Sequence, residues 1–367
     1  MNKIVFFVPQ ISQPRPLKRI NTIYEQGFEI KVYAFDNGLY RDNISTASFP
    51  FTICDNASKK GKLSSIKHRF KVIRRILKEN DANTIFYFFG YKPALTAWLL
   101  GCRNYVYEEA DVDAVKRKNS LQRKIAVNLD KKLITDSLLT VFTSAGFAQY
   151  LLGDTYKEKY IILPNKLNKY FLSINRDDIK TPQLNRNHIK FGFIGLIRYP
   201  ETILRFARVV LERFPQHEFH FFGDVDKWIE IPSCFESADN VFFHGPFKNP
   251  QDLSSIYEQV DINIACYDAV SAKTAINVKI AEPNKLYESI FFKTPLVVSA
   301  GTYISERVKS LGVGTSIDAH TDENVIHFIE DFDILKFENY SSNTERIPMN
   351  ELIDNPDDLI QVLRKLI

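Results

Sequence analysis

Lys3-Ile-Val-Phe-Phe-Val8 is an unbroken apolar, β-rich run that stops at Pro9, and the residues after it decide the fold. Residues 9–16 carry three prolines and no glycine, and read as a loop. Leu17, Ile20, Ile23 and Tyr24 recur at helical spacing, and Gly27 closes that helix. Glu29–Phe35 is a second strand. Strand, helix and strand within about 35 residues make a βαβ unit and so a parallel sheet. The first turn lacks G-x-G-x-x-G, which disfavours a nicotinamide-dinucleotide pyrophosphate loop.

The rhythm continues outward. Residues 49–54, Thr84–Phe89, Asn104–Tyr107, Leu139–Thr143 and Tyr160–Leu163 read as strands. Lys62–Glu79, Pro93–Leu100, Lys116–Lys132 and Ser144–Leu152 read as helices between them. Glu108, Glu109 and Asp111 follow the 104–107 strand, at the edge where open α/β sheets bind ligands. A solvated acidic loop is the plainer alternative. Residues 166–188 are polar and irregular and read as a linker. The βα rhythm restarts at Ile189–Ile194, followed by Gly195-Leu-Ile-Arg198 and a helix over 200–214. Gly192 and Gly195 would let backbone approach a ligand, and Arg198 could neutralise a phosphate. Further strands are expected at Glu218–Phe222, Val241–His244, Ile262–Tyr267, Pro295–Ser299 and Val313–Ile317, with helices at Asp322–Phe332 and Pro356–Ile367.

The 367 residues suit two domains, and 45% hydrophobic with 25% charged content is that of a globular chain. Cys54, Cys102, Cys234 and Cys266 lie far apart without ligand spacing, which argues against a disulfide scaffold and points to free thiols in a reducing compartment. The first apolar run is too short for a signal peptide, and residues 82–101 are split by Asn83, Gly90, Lys92 and Pro93, so no membrane span is expected. The formal charge of +4 hides an asymmetry, +13 over residues 1–180 and −9 over the remainder. A basic half suits a polyanionic surface. The 62–79 helix, with Lys67, Arg69, Lys71, Arg74, Arg75 and Lys78 on its polar face, could lie on anionic headgroups or simply be a solvated helix. Nucleic acid is disfavoured, because no nucleic-acid module pattern accompanies the charge.

The richest chemistry stands at Glu282-Pro-Asn-Lys-Leu-Tyr-Glu288, just before the Pro295–Ser299 strand. Pro283 suits a first helical turn and Asn284 can cap it. Lys285 beside a helix N-terminus attracts anions, and Glu288 one turn on can accept sugar hydroxyls. A capped surface helix with an ordinary Lys/Glu pair is the bland alternative.

AEPNKLYESIFFKTPLVVSAGT (281–302) resembles the donor-binding signature of GT-B glycosyltransferases, in particular the retaining family 4 group. Its Pro283-Asn284-Lys285 variant is similar to capsule and O-antigen transferases. The resemblance spans most of residues 185–315 and is weaker before them. It implies two Rossmann-like parallel-sheet domains facing across a cleft: residues 1–167 on the acceptor side, residues 188–345 binding the donor, and a C-terminal helix within 350–367 packing back on the first. It implies transfer of a hexose from a nucleotide diphosphate sugar to a polysaccharide intermediate, expected to be lipid-linked. Glu288 would bind the ribose, Glu282 the sugar, and Gly245 would open the base loop. Arg198, Lys279 and Lys285, with the backbone around Gly195, Asn284 and Leu286, would hold the diphosphate, since the family's lysine beside the glycine loop is missing here. Glu108 and Asp111 would face the acceptor. The two Asp-x-Asp triplets, at 111–113 and 224–226, are too short to outweigh the two-domain rhythm, so neither metal nor cofactor is expected beyond the donor. The expected location is cytoplasmic, with peripheral contact on the inner membrane face open. A nucleotide-sugar epimerase of the same fold, or a non-catalytic member of a capsule assembly complex, are the alternatives.

Overall fold

The structure, a computed structural model, describes residues 3–35, 44, 46–54, 62–81, 83–117, 119–153, 160–198, 200–226, 229–270 and 275–367. The chain divides into two compact units: residues 1–165 with 355–367, and residues 166–354.

The first unit holds a seven-stranded sheet in the order β3-β2-β1-β4-β5-β6-β7. Its strands are β1 (Ile4–Val8), β2 (Ile30–Phe35), β3 (Phe51–Cys54), β4 (Ile85–Phe89), β5 (Tyr105–Glu109), β6 (Leu139–Phe142) and β7 (Tyr160–Ile162), and every pairing is parallel. β1 and β4 are buried at every residue, as apolar runs in a parallel sheet covered on both faces must be. Ile4, Phe6 and Val8 pack beneath α1 (Pro14–Glu25), against Leu17, Ile20 and Ile23. That helix starts three residues before Leu17, because Pro14 and Pro16 fit a first turn whose N–H groups are unpaired anyway. The opposite face is covered by α2 (Lys62–Lys78), α3 (Tyr91–Leu99) and α4 (Ser120–Asp136), which lie side by side; α5 (Ala145–Leu152) follows β6. β5 runs two residues beyond the expected Tyr107, so Glu108 and Glu109 are strand residues rather than loop residues.

The second unit holds six parallel strands in the order β10-β9-β8-β11-β12-β13. These are β8 (Lys190–Ile194), β9 (Glu218–Phe222), β10 (Val241–Gly245), β11 (Ile262–Ala265), β12 (Leu296–Ser299) and β13 (Gly314–Ile317). The helices are α6 (Pro200–Arg213), α7 (Leu253–Tyr257), α8 (Ala275–Ile280), α9 (Lys285–Phe291), α10 (Tyr303–Leu311), α11 (Asp322–Glu330), α12 (Ile334–Glu345) and α13 (Met349–Leu352). β8 lies between β9 and β11, so strand order reverses there. Residues 166–188 are not a bare linker: Leu167 bridges to Ile353, and Phe171 packs edge-on against Phe291 at 4.9 Å. The last helix, α14 (Asp357–Leu366), puts Leu359, Ile360 and Leu363 into the first unit's core with Ile4 and Phe6. No described helix is long and apolar enough to cross a membrane.

Candidate functional site

In the second unit the carboxyl ends of β8, β9 and β10 close on Gly195, Gly223 and Gly245. Gly195 N–H donates to the Phe222 carbonyl and Gly223 N–H to the Gly245 carbonyl, each at 2.7 Å. A Cβ on Gly223 would meet the Gly195 carbonyl oxygen at 2.2 Å, so only glycine lets these strand ends touch. A Cβ on Gly195, whose φ is +141°, would meet Lys285 Nζ at 3.0 Å. The lysine amine thus lies flat against the turn after β8, at the point where strand order reverses and open α/β sheets take their ligands.

Lys285 opens α9 and is buried, 7% exposed. Glu288, one turn on, is 2% exposed and puts Oε2 3.5 Å from Lys285 Nζ. Its Oε1 accepts from Asn284 Nδ2 at 2.5 Å, with Asn249 Nδ2 at 3.5 Å. Asn284 therefore does not cap α9 with its side chain; the amide turns to the carboxylate instead. Beneath Glu288, Asn263 Nδ2 donates to Tyr257 Oη at 3.1 Å and to Ser289 Oγ at 2.8 Å. Burial, then the Glu288 charge, pushes the Tyr257 hydroxyl well above its ordinary pKa. This hydrogen-bonded bed holds two opposite charges out of water, which costs desolvation free energy that the pairing and hydrogen bonds offset.

Glu282 is also buried, but it is tied within the unit: the Tyr287 hydroxyl donates to Oε1, and Arg307 Nε lies 3.8 Å away. The Leu286 side chain lies in the apolar core under α9, and its N–H donates to the Pro283 carbonyl at 3.2 Å. With seven residues and first-turn amides engaged at Leu286 and Glu288, α9 offers little free dipole end, so the charge here belongs to the Lys285 ammonium. Arg198 is exposed after the Ile197–Val225 bridge, and Lys279 is exposed on α8. Of the three cations expected around a diphosphate, the fold buries Lys285 alone at the β8 end.

In the first unit, strand alternation separates the acidic trio. Glu108 faces α1, where Arg15 Nε lies at 3.2 Å, Arg19 Nε at 3.5 Å, and the Tyr87 hydroxyl donates at 2.5 Å. Glu109 faces α4, fully buried, with both carboxylate oxygens unpartnered. Burial first, then Asp130, pushes its pKa well up. Asp130, buried on α4, accepts from the Tyr107 hydroxyl at 2.9 Å, and its pKa is pushed to about 8 by burial and then by Asp113. Asp111 is exposed and ion-paired to Lys116 at 3.2 Å. Glu108 is thus neutralised inside the unit, and only Asp111 of the expected acceptor-side pair reaches solvent.

The sequence matches no protein-family model and no curated protein. Solved structures do match over nearly the whole chain. HepE from Anabaena, solved with UDP and glucose, superposes with a TM-score of 0.70 at 15% identity, over 99% of this chain and 97% of that one. Sucrose-phosphate synthase from Thermosynechococcus elongatus gives 0.70 at 11% identity, over 100% and 98%. A glycosyltransferase from Rickettsia africae ESF-5 gives 0.64 at 12% identity, over 100% and 97%. The fold is GT-B.

Within this GT-B chain, sequence reasoning missed the residues that position the charged pair. Asn249, Tyr257 and Asn263 come from three separate segments, and no local pattern ties them to Glu288. Arg176 donates to the carbonyls of Ile290, Phe291, Thr344 and Ile347, holding the end of α9 from within a stretch read as linker. The Tyr287–Glu282 contact had a visible signal, two polar groups five residues apart across a helix start.

Proposed function

We propose that the protein is a glycosyltransferase that moves a hexose from a nucleotide diphosphate sugar to a lipid-linked polysaccharide intermediate of the capsule or O-antigen type, with retention at the anomeric carbon. One observation carries this: a buried lysine ammonium rests against Gly195 at the carboxyl end of β8, with the Glu288 carboxylate 3.5 Å away. A cation for a diphosphate and a carboxylate for ribose hydroxyls are the two groups a nucleotide sugar asks of its site. Lys285 stabilises the departing diphosphate, whose charge grows in the transition state, and Arg198 adds a second cation from the exposed turn. Glu288 accepts from the ribose. Glu282, although engaged by Tyr287, retains lone pairs for a sugar hydroxyl. The likeness to HepE, solved with UDP and glucose, makes uridine diphosphate the first nucleotide to test. Metal independence belongs to the proposal; Asp111 and Asp113 are already ion-paired to Lys116 at 3.2 and 3.1 Å.

Thermal shift with UDP, GDP and dTDP tests the reading. At about a hundredfold excess over Kd a binding nucleotide adds ~2.7 kcal/mol, or roughly 5–10 °C in the midpoint of the second unit. Lys285→Ala and Glu288→Ala each lose most of that shift. An unchanged shift in both variants overturns the site. Conversion of a free UDP-sugar without acceptor would assign an epimerase instead.

A further inference from the structure

The outer surface of the α2–α3–α4 layer carries two features together. The first is a strong excess of positive charge, with Glu79 just past α2 the exposed acid, paired to Arg75 at 3.6 Å. Neither α2 nor α3 contains an aspartate or glutamate, while Lys67, Lys71, Arg74, Arg75 and Lys78 are exposed along α2 and Lys124, Lys131 and Lys132 along α4. The two acids of α4 are withdrawn: Asp130 is buried, and Asp136 accepts from Trp98 Nε1 at 2.8 Å. The second feature is apolar. Leu63 and Ile66 on α2, Leu99 on α3, and Leu121 and Ile125 on α4 stand 75%, 41%, 56%, 65% and 52% exposed. The leucine and isoleucine pairs sit in the first two turns of α2 and α4, with most of the cations further along the same helices. A groove of about 750 Å³ runs between α2 and the end of α3, with Phe70, Leu99 and Leu100 at its apolar side and the five α2 cations around it.

Large apolar side chains are normally exposed singly. Five on one helix layer, set among cations that far outnumber the exposed acid, match a surface that is apolar just below and anionic at its face. We propose that this layer docks the protein on an anionic phospholipid bilayer, the cations meeting headgroup phosphates and Leu63, Ile66, Leu121 and Ile125 entering the acyl boundary. The surface cations are drawn to the anionic headgroups, and the leucine side chains gain by leaving water for the acyl boundary. Neither alone gives stable attachment, but together they do. The inference deepens the lipid-linked acceptor of the proposed function and rests on that reading for its purpose, since an enzyme held on the bilayer meets its acceptor there. Vesicle binding is measured without nucleotide or acceptor, so the two stand or fall separately.

The test is co-sedimentation of the full chain with phosphatidylcholine vesicles with and without phosphatidylglycerol, at low and high salt. The expected result is sedimentation only with phosphatidylglycerol, weakened by salt. Binding falls at least about tenfold in Arg74→Glu/Arg75→Glu and comparably in Leu63→Ser/Leu121→Ser. All four positions are exposed, so the variants keep their circular dichroism and their nucleotide-induced thermal shift. Equal sedimentation of the wild type and both variants overturns the proposal. So does an absence of vesicle binding coupled with a dimer that Leu63→Ser/Leu121→Ser dissolves, because the face would then be covered by a second copy.

Discussion

At the scale of single residues, the sharpest consequence of strand alternation is the fate of two consecutive glutamates. Glu108 meets two arginines and a tyrosine; Glu109 meets another acid. Asp111, Asp113 and Lys116 on the turn after β5, and Tyr91 on α3, also face the Glu109–Asp130 pair. Asp113 itself stays below the usual carboxylate range: burial would raise it, but Lys116 and Lys92 pull it down. The sign of the pH effect follows. Asp130 titrates near 8 in the folded state against about 3.9 unfolded, so folding holds a proton that the unfolded chain releases. Its contribution is fully present below about pH 4 and is lost as pH rises through 8, and Glu109 acts in the same direction. Between pH 5 and 8 the first unit's thermal midpoint is expected to fall by at least ~5 °C, and in Asp130→Asn by much less. A wild type and variant with parallel pH profiles would show that these carboxyls titrate normally. Sequence alone brought Glu108, Glu109 and Asp111 to the right edge of the sheet. It treated them as one loop, because the strand's last two residues look polar and nothing local reveals Asp130 or Arg19 beneath them.

Elements were legible where their burial was one-sided or complete. β1, β4 and β12 are short apolar runs, and α1 and α6 carry an apolar stripe, so their existence followed from period and composition. The missed helices lack that contrast. α12 (ILKFENYSSNTE) is rich in Ser and Asn, which are indifferent helix formers, and it persists through packing on α9. The site helix α9 is the clearest case of an element held from outside. Seven residues cannot sustain a helix alone, and its closing carbonyls at Ile290 and Phe291 are taken up by Arg176, which also binds Thr344 and Ile347. Desolvation by burial lowers the Arg176 pKa, but the guanidinium stays charged at any ordinary pH. One planar cation thus ties α9 to the end of α12. Hydrogen bonds from a charged donor are worth ~1.5–3 kcal/mol each when lost with burial. Arg176→Ala should lower the second unit's midpoint by roughly 5–10 °C and weaken nucleotide binding severalfold, although it lies outside the Lys285–Glu288 pair. Arg176→Lys should recover only a minor part, since an ammonium cannot span four carbonyls. If the alanine variant kept both midpoint and affinity, Arg176 would be a surface contact without a positioning role.

For the whole molecule, what matters is how the chain is shared between its units. The two-Rossmann architecture was readable because the βα rhythm stops near residue 163 and restarts at 189, with a largely apolar strand on each side. That the first unit takes in two stretches far apart in sequence was implied by the family resemblance alone, not by the residues themselves. The apolar stripe of α14 reads as a helix without saying what it packs on; Leu359, Ile360 and Leu363 are 0%, 5% and 0% exposed, packed against β1 and α1. Burying three such side chains contributes ~5–8 kcal/mol, comparable to the entire stability of a typical domain. Residues 166–354, in contrast, have their own sheet and their own apolar clusters. Ending the chain after Asp354 should therefore separate the two. The first unit is expected to lose cooperative unfolding or melt at least ~10 °C lower, while the transition of the second unit, followed by the shift that UDP induces, stays within a few degrees of the full chain. Leu359→Ala/Leu363→Ala offers the same contrast without shortening the chain, at about 2–5 kcal/mol for each substitution. A single transition lowered equally in both units would mean that they fold as one body, and that the Lys285 site owes its stability to the first unit as much as to the second.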